Sequence, residues 1–326
     1  MHPWKMFNIG EWDPQAVDYE MKLGASLGAN IVRIFMDHPY SIDTRPLTPT
    51  PTATTTPRPT ATATATATAT PMGQPTPTPS FIPPTQQYVQ NVRDFMDIAG
   101  KYDLKVILTL FDSLDWNLYR EPNHWIAEEY VKQIVPYFAN DTRIHSWDLQ
   151  NEPDRAIVGV GAPAVIGFFK RVSAQIRKLD PNHLQTIGWI DRARARYFPD
   201  LDSYLDYWCF HFYDKVDNLQ PLLQLYKSRT TKPVMLQEFG LPSGGPGYTS
   251  PTAEQDQVNH YLRVFALLDG YKMCGSVMWA LMDFPQGLAG NPPDPNDSPE
   301  NHFGVFRTDY SEKPLASVLR YHWKNA

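Results

Sequence analysis

Trp147-Asp148-Leu149-Gln150-Asn151-Glu152-Pro153-Asp154 reads as a strand that stops at an acidic residue. Ile144, Trp147 and Leu149 supply its apolar run, and Pro153, which cannot donate to a sheet ladder, ends the pairing. Glu152 is thereby set at the carboxyl end of a strand, where parallel α/β folds place their chemistry. Pro233-Val234-Met235-Leu236-Gln237-Glu238-Phe239-Gly240 has the same form. Two strands that each end in a glutamate predict two carboxylates facing one another across a barrel mouth.

Working outward, apolar strands and periodic helices alternate along the chain. Asp13-Pro14 opens a helix as cap and first residue, and Gly28 stops it. Strands are expected at Asn30–Met36, Leu104–Phe111, up to Glu152, Leu184–Ile190, Leu205–Tyr213, up to Glu238, and Gly275–Leu281. Helical spacing marks the segments around Tyr88–Ala99, Ile126–Phe138, Ile166–Ile176, Leu219–Tyr226, Pro251–Leu268 and Pro314–His322. This β-then-α repetition implies parallel strands, and the fold class expected is a (β/α)8 TIM barrel, α/β, formed by the chain as a single unit. Its first strand would have to be Lys5–Ile9, which is short and weak, or else that strand is truncated and the chain begins late.

Residues 48–84 are of another composition. Thr, Pro and Ala alternate almost without interruption, so no packed core can form there. Too little chain precedes this tract for a separate domain, so it reads as a low-complexity insertion after the Ile31–Met36 strand, counted as strand two. A long loop adds little closure entropy. Such tracts are frequent in exported proteins, which favours an extracellular or cell-surface location, whereas Met1–Lys5 is followed by no apolar segment of signal-peptide type.

Among 326 residues the net charge is −6, which argues against nucleic acid or an anionic membrane as partner. No apolar run approaches membrane-spanning length. Nine Trp and 17 Tyr include rings of a kind that suits sugar faces, although core packing must account for most of them. The expected partner is a carbohydrate substrate, and the expected state a monomer. No His-x-His, His-Glu-x-x-His or Cys-x-x-Cys spacing is present, and no phosphate loop, so neither a metal nor another cofactor is expected. Cys209 and Cys274 lie in apolar runs and read as buried small hydrophobes.

The paired glutamates suit glycoside hydrolysis, which needs a proton donor at the leaving oxygen and a carboxylate at the anomeric carbon. At these residues the chain resembles clan A glycoside hydrolases, and most closely family 5, the cellulase and mannanase group. The resemblance covers nearly all of the chain outside the Thr/Pro tract. It implies Glu152 as acid/base on strand four and Glu238 as nucleophile on strand seven, with Asn151 on the sugar 2-hydroxyl. It further implies Arg33 beside the nucleophile, His211 and Tyr213 lining the point of cleavage, and Trp279 as a sugar platform. Trp116 and Trp189 are candidates for further subsites.

One departure stands out. Many family members carry a histidine near the end of strand three, where this chain reads Leu108-Thr109-Leu110-Phe111-Asp112, so Asp112 or His38 is expected to fill the space. The expected activity is that of a retaining β-glycoside hydrolase on glucan or mannan-type chains. The alternatives are a non-catalytic carbohydrate-binding barrel and a transglycosylase using the same residues. Retention predicts carboxyls roughly 5–5.5 Å apart. It also predicts a raised pKa for Glu152, with Arg33 keeping Glu238 low. The sugar, its linkage and internal versus terminal cleavage depend on loops and are not legible.

Overall fold

The computed structural model describes residues 6–8, 10–36, 81, 83–112, 116–190, 198–289 and 294–325. Seven strands form one sheet in chain order. They are β1 (Ile31–Phe35), β2 (Lys105–Thr109), β3 (Ile144–Asn151), β4 (Leu184–Trp189), β5 (Trp208–Phe212), β6 (Val234–Phe239) and β7 (Gly275–Ser276). Every neighbouring pair is parallel. Among the described residues the result is an α/β barrel of seven parallel strands, curled but open rather than closed.

The strands form where the sequence is apolar without a break, as parallel strands covered on both faces require. Val106, Ile107 and Leu108 of β2 are wholly buried, as are Trp147 and Leu149 of β3. Trp147 still satisfies its indole, donating Nε1–H to Asp180 at 2.8 Å. Truncating such a residue to Ala costs about 3–5 kcal/mol.

Helices follow the strands. Helix α1 (Pro14–Leu27) is capped by Asp13, whose carboxylate accepts from the amides of Gln15 and Ala16, and it ends at Gly28 with φ 95°. That left-handed turn is where glycine carries no Cβ penalty. Helix α2 (Gln86–Lys101) starts from a Thr85 cap. Next come α3 (His124–Ile134), α4 (Asp154–Val160), α5 (Ala162–Leu179) and the single turn α6 (Phe198–Leu201). Helices α7 (Leu219–Arg229), α8 (Ala253–Gly270) and α9 (Leu315–Asn325) complete the ring. Among the described residues no helix is long and apolar enough to cross a membrane.

Three expectations need correction. Met6–Asn8 forms a turn, not a strand, and Lys5 and Ile9 lie outside the described residues. Phe7 is buried instead against Trp12, Tyr88 and Phe95, and its carbonyl accepts from Asn91 Nδ2 at 2.8 Å. Sheet pairing and this aromatic cluster compete for the same residues, and the cluster wins. The last strand is also shorter than its apolar run, since only Gly275–Ser276 is regular. The amides of Val277 and Trp279 nevertheless continue to bond β6 carbonyls.

The third correction follows from the second. Cys209 is buried, but Cys274 is exposed, next to β7, whose outer edge has no ladder partner among the described residues. Among the described residues no ladder joins β7 to β1, and a cavity of about 470 Å³ lies between them, lined by Ile31, Val32, Gly275 and Val277. Helices α1, α8 and α9 wall this seam through Met21, Leu268 and Trp323.

Elements β1 and α2 flank the Thr/Pro tract. Of residues 48–84, those numbered 48–80 and 82 lie outside the described residues, as does His38.

Candidate active site

The carboxyl ends of β1, β3, β5 and β6 surround one cleft of about 450 Å³. Asn151, Glu152, Tyr213, Glu238 and Trp279 line it. With no described strand ahead of β1, the two glutamates stand on the third and sixth described strands.

Glu152 extends β3 by one residue, its amide donating to Gly188 O of β4 at 2.8 Å. Its φ is 44°, a region that costs a non-glycine residue on the order of 1–3 kcal/mol. Pro153 closes the pairing directly after it. Gly188 must be glycine, since a Cβ there would lie 2.5 Å from Gln237 Oε1 and 2.7 Å from His211 Nε2.

Glu238 sits inside β6, in register with His211 of β5, and is buried. Arg33 reaches it from β1 with Nη1. The same guanidinium bonds Asp148 Oδ2 through Nε at 2.9 Å and Nη2 at 2.8 Å, and Asn151 Oδ1 at 2.9 Å. Both partners of the Arg33–Asp148 pair are buried. Burial works against charge on Arg33, and Asp148 and Glu238 more than restore it, holding the guanidinium above its ordinary range. Thr109 Oγ1 and Gln237 Nε2 also donate to Asp148.

Tyr213 donates its hydroxyl to Glu238 Oε2 at 2.8 Å. Its ring is partly open to the cleft while its hydroxyl end lies inside. Burial and the Glu238 charge push the phenol well above its ordinary range.

His211 touches both carboxylates. Nδ1 lies 2.9 Å from Glu152 Oε1 and 3.5 Å from Glu238 Oε2. Nε2 faces Gln237 Oε1 at 3.3 Å, and that amide is oriented by its own Nε2–H on Asp148. Each ring nitrogen therefore meets an acceptor, which only the imidazolium satisfies on both sides. Burial alone would lower the His211 pKa, but Glu238, the hydrogen bond to Glu152 and the Glu152 charge raise it.

Glu152 responds in the opposite sense. Burial raises its pKa, but the His211 hydrogen bond and the charges of His211, Arg155 and Arg33 together lower it. The raised value expected for Glu152 is thus overturned in the ligand-free site, because the proton rests on His211.

Atoms of Glu152, His211 and Glu238 lie within 4.8 Å of one another, the metal-sized cluster found among the described residues. An imidazole engaged as donor on both nitrogens has no lone pair to offer, so this set suits a proton better than a metal.

Asn151 is fixed between Arg33 and Asp112, its Nδ2 donating to Asp112 Oδ1 at 2.9 Å. Asp112 therefore stands beside the cleft, behind Asn151. Trp279 presents its ring to the cleft and donates Nε1–H to Glu300 at 2.8 Å; the Trp279–Ala280 peptide is cis. The further tryptophans lie elsewhere. Trp189 is buried in the core against Phe169, and Trp116 lies on Gly159 outside the cleft.

Asp148, Gln237 and Glu300 were not singled out from sequence. Asp148 carried one signal, an acid in a buried strand that demands a cation, as Arg33 does in β1. Glu300 carried none, since it comes from a loop.

Comparison with known proteins follows the same lines. The family model described as Cellulase (glycosyl hydrolase family 5) matches residues 4–283. A probable mannan endo-1,4-beta-mannosidase F of Aspergillus flavus is 28% identical over 107 residues, 28% of this chain and 23% of that protein. The chain thus spans about a quarter of that relative in the matched region. A GH5_18 structure from Streptomyces cattleya, in complex with Manβ1-4GlcNAc, superposes with a TM-score of 0.70 at 17% identity, covering 99% of this chain and 79% of that one. A beta-D-glucuronidase of Dictyoglomus thermophilum superposes at 0.62 and 18% identity, over 97% and 48%. At these identities the structural likeness is one of fold.

Proposed function

The chain belongs to the cellulase family, glycosyl hydrolase family 5, and from that premise we propose that it is a retaining β-glycoside hydrolase acting on β-linked glucan or mannan chains. The observation that carries the reading is the carboxylate spacing. One oxygen of Glu152 and one of Glu238 lie within 4.8 Å of each other, which favours the roughly 5–5.5 Å carboxyl separation of retaining enzymes over the roughly 6.5–9.5 Å that inversion needs for its water.

Glu238 attacks the anomeric carbon while the bond to the leaving oxygen breaks, and that oxygen takes a proton from Glu152. In the second step water gives a proton to Glu152, its oxygen bonds to the anomeric carbon, and Glu238 departs as carboxylate. Arg33 and Tyr213 hold Glu238 by one oxygen each, which fixes its lone pair without solvent. His211, 2.9 Å from Glu152, is the store from which Glu152 draws its proton when the sugar fills the cleft. Asn151, held at both ends of its amide, meets the sugar 2-hydroxyl, and Trp279 carries the ring face.

Proton NMR of an aryl β-mannoside or β-glucoside digest tests this. The first sugar released should be the β-anomer; an initial α-anomer would overturn the proposal.

The finer fold belongs here as well. We infer that the working barrel has eight strands, the eighth a parallel strand seated in the seam between β1 and β7. Among the described residues two strand edges are unpaired and border one largely apolar cavity, which supports it, since free edges and empty cavities are both unfavourable. The Ile31–Phe35 amides that face the seam should then be protected from hydrogen exchange; rapid exchange there would refute the inference.

A further inference from the structure

The proposed chemistry uses two carboxylates, but the cleft is lined by a third, Glu300. It stands in a short 3-10 turn, Pro299–His302, that is tightly held. The amide and hydroxyl of Ser298 donate to Asn301 Oδ1 at 2.9 and 3.0 Å. Asn301 Nδ2 in turn donates to the carbonyls of Phe284 and Pro285. Gly245, at φ 83°, packs so closely beneath that a Cβ would lie 2.6 Å from Pro299 N. Glu300 is therefore a fixed group rather than a wandering surface acid.

Its Oε1 accepts from Trp279 Nε1 at 2.8 Å. Among the described residues its Oε2 has no hydrogen-bond partner. Burial raises the Glu300 pKa, the Trp279 bond lowers it, and the charges of Glu238 and Glu152 raise it further, the net direction being upward. Those carboxylates are near enough to be felt. The cations of the site are already engaged, Arg33 by Asp148 and Glu238, and His211 by Glu152. A ligand entering the cleft thus meets an acceptor with a spare oxygen and an excess of negative charge.

We propose that Glu300 is a specificity-determining residue: its free oxygen accepts a hydroxyl of the neutral sugar standing on Trp279, and its charge excludes uronic acids from that position. The proposal rests on the glycosidase reading and goes beyond it in naming the class of sugar admitted. A carboxylate oxygen left unpaired by a ligand without a suitable hydroxyl costs binding, and a second carboxylate costs more by repulsion.

The test compares 4-nitrophenyl β-mannoside and β-glucoside with the β-glucuronide, using wild type and Glu300→Gln. In wild type the neutral substrates should lead. In the variant kcat/KM for them should fall, mainly through KM, while that for the glucuronide rises, so that the neutral-to-uronide ratio drops at least about tenfold, or 1.4 kcal/mol. A role confined to holding Trp279 would lower all substrates together and leave the ratio unchanged, which overturns the proposal. So would a wild type that handles glucuronide and neutral substrates alike.

If neither these substrates nor glucan and mannan chains are turned over, the glycosidase reading fails; tryptophan fluorescence then decides the Glu300 proposal separately, as it does if only the chains are cleaved. Quenching by methyl β-mannoside and not by methyl β-glucuronide, with the preference lost in Glu300→Gln, upholds it. Equal response to both ligands, or none, overturns it.

Discussion

Strands β3 to β6 and the two lips of the seam support one cleft by different means. Glu152 and Glu238 stand on strands with neighbours on both edges, so the ladder fixes their backbone. Arg33 stands on β1 and Trp279 just beyond β7, the two edge strands, and both also line the seam cavity. Their side chains are positioned by hydrogen bonds that reach across, Arg33 to Asp148 in β3 and Trp279 to the Glu300 turn. Where the backbone is paired on one edge only among the described residues, buried polar bonds take over the positioning, and that half of the site depends on single residues.

The largest effect should come from cutting the bond that ties the β1 lip to the paired side. Asp148→Ala leaves Arg33 buried without its main counter-ion, a loss of about 3–5 kcal/mol for a pair this deeply enclosed. Chemical denaturation should show that loss, and glycoside turnover should fall at least about a hundredfold as Arg33 loses the two bonds from Asp148 that aim it at Glu238. A stable, active variant would mean that the lip is held by something other than Asp148.

A smaller effect, and one confined to the paired side, concerns the proton. His211 has a raised pKa, so it contributes stability that is complete below its ordinary value of about 6.5 and is lost as pH rises through its folded value. In kinetics the same proton sets the basic limb of kcat/KM. His211→Gln leaves Glu152 as its carrier, a carboxyl that burial lifts once the hydrogen bond and charge of His211 are gone. The basic limb should therefore move to lower pH, by about one unit or more. A limb that stays in place would assign the proton to another group.

How far the sequence foretold this site follows from what each feature depends on. The strands were legible because burial on both faces demands unbroken apolar runs, as in Val106–Leu108. Glu152 and Glu238 were legible because each sits at a fixed offset from such a run. Asp148 lay in plain view within the opening stretch, yet its role needs Arg33, 115 residues away, and no local pattern carries that. The sign of the Glu152 shift failed for the same reason, since it is set by His211 from another strand. Glu300 comes from a turn with no periodicity. Strand β7 was read too long because an apolar run alone cannot reveal that one of its edges has no partner among the described residues.

The distinction between the two glutamates admits the most direct measurement, the products formed by Glu238→Ala and Glu152→Ala with azide present. The first should be inactive alone and regain turnover with azide as the small anion takes the place of the missing nucleophile, yielding the α-glycosyl azide. The second should form its glycosyl-enzyme on Glu238 from an activated aryl glycoside and give the β-glycosyl azide. Opposite anomers from the two variants are the predicted result. Full activity in Glu238→Ala without azide, or the same anomer from both, would contradict the account.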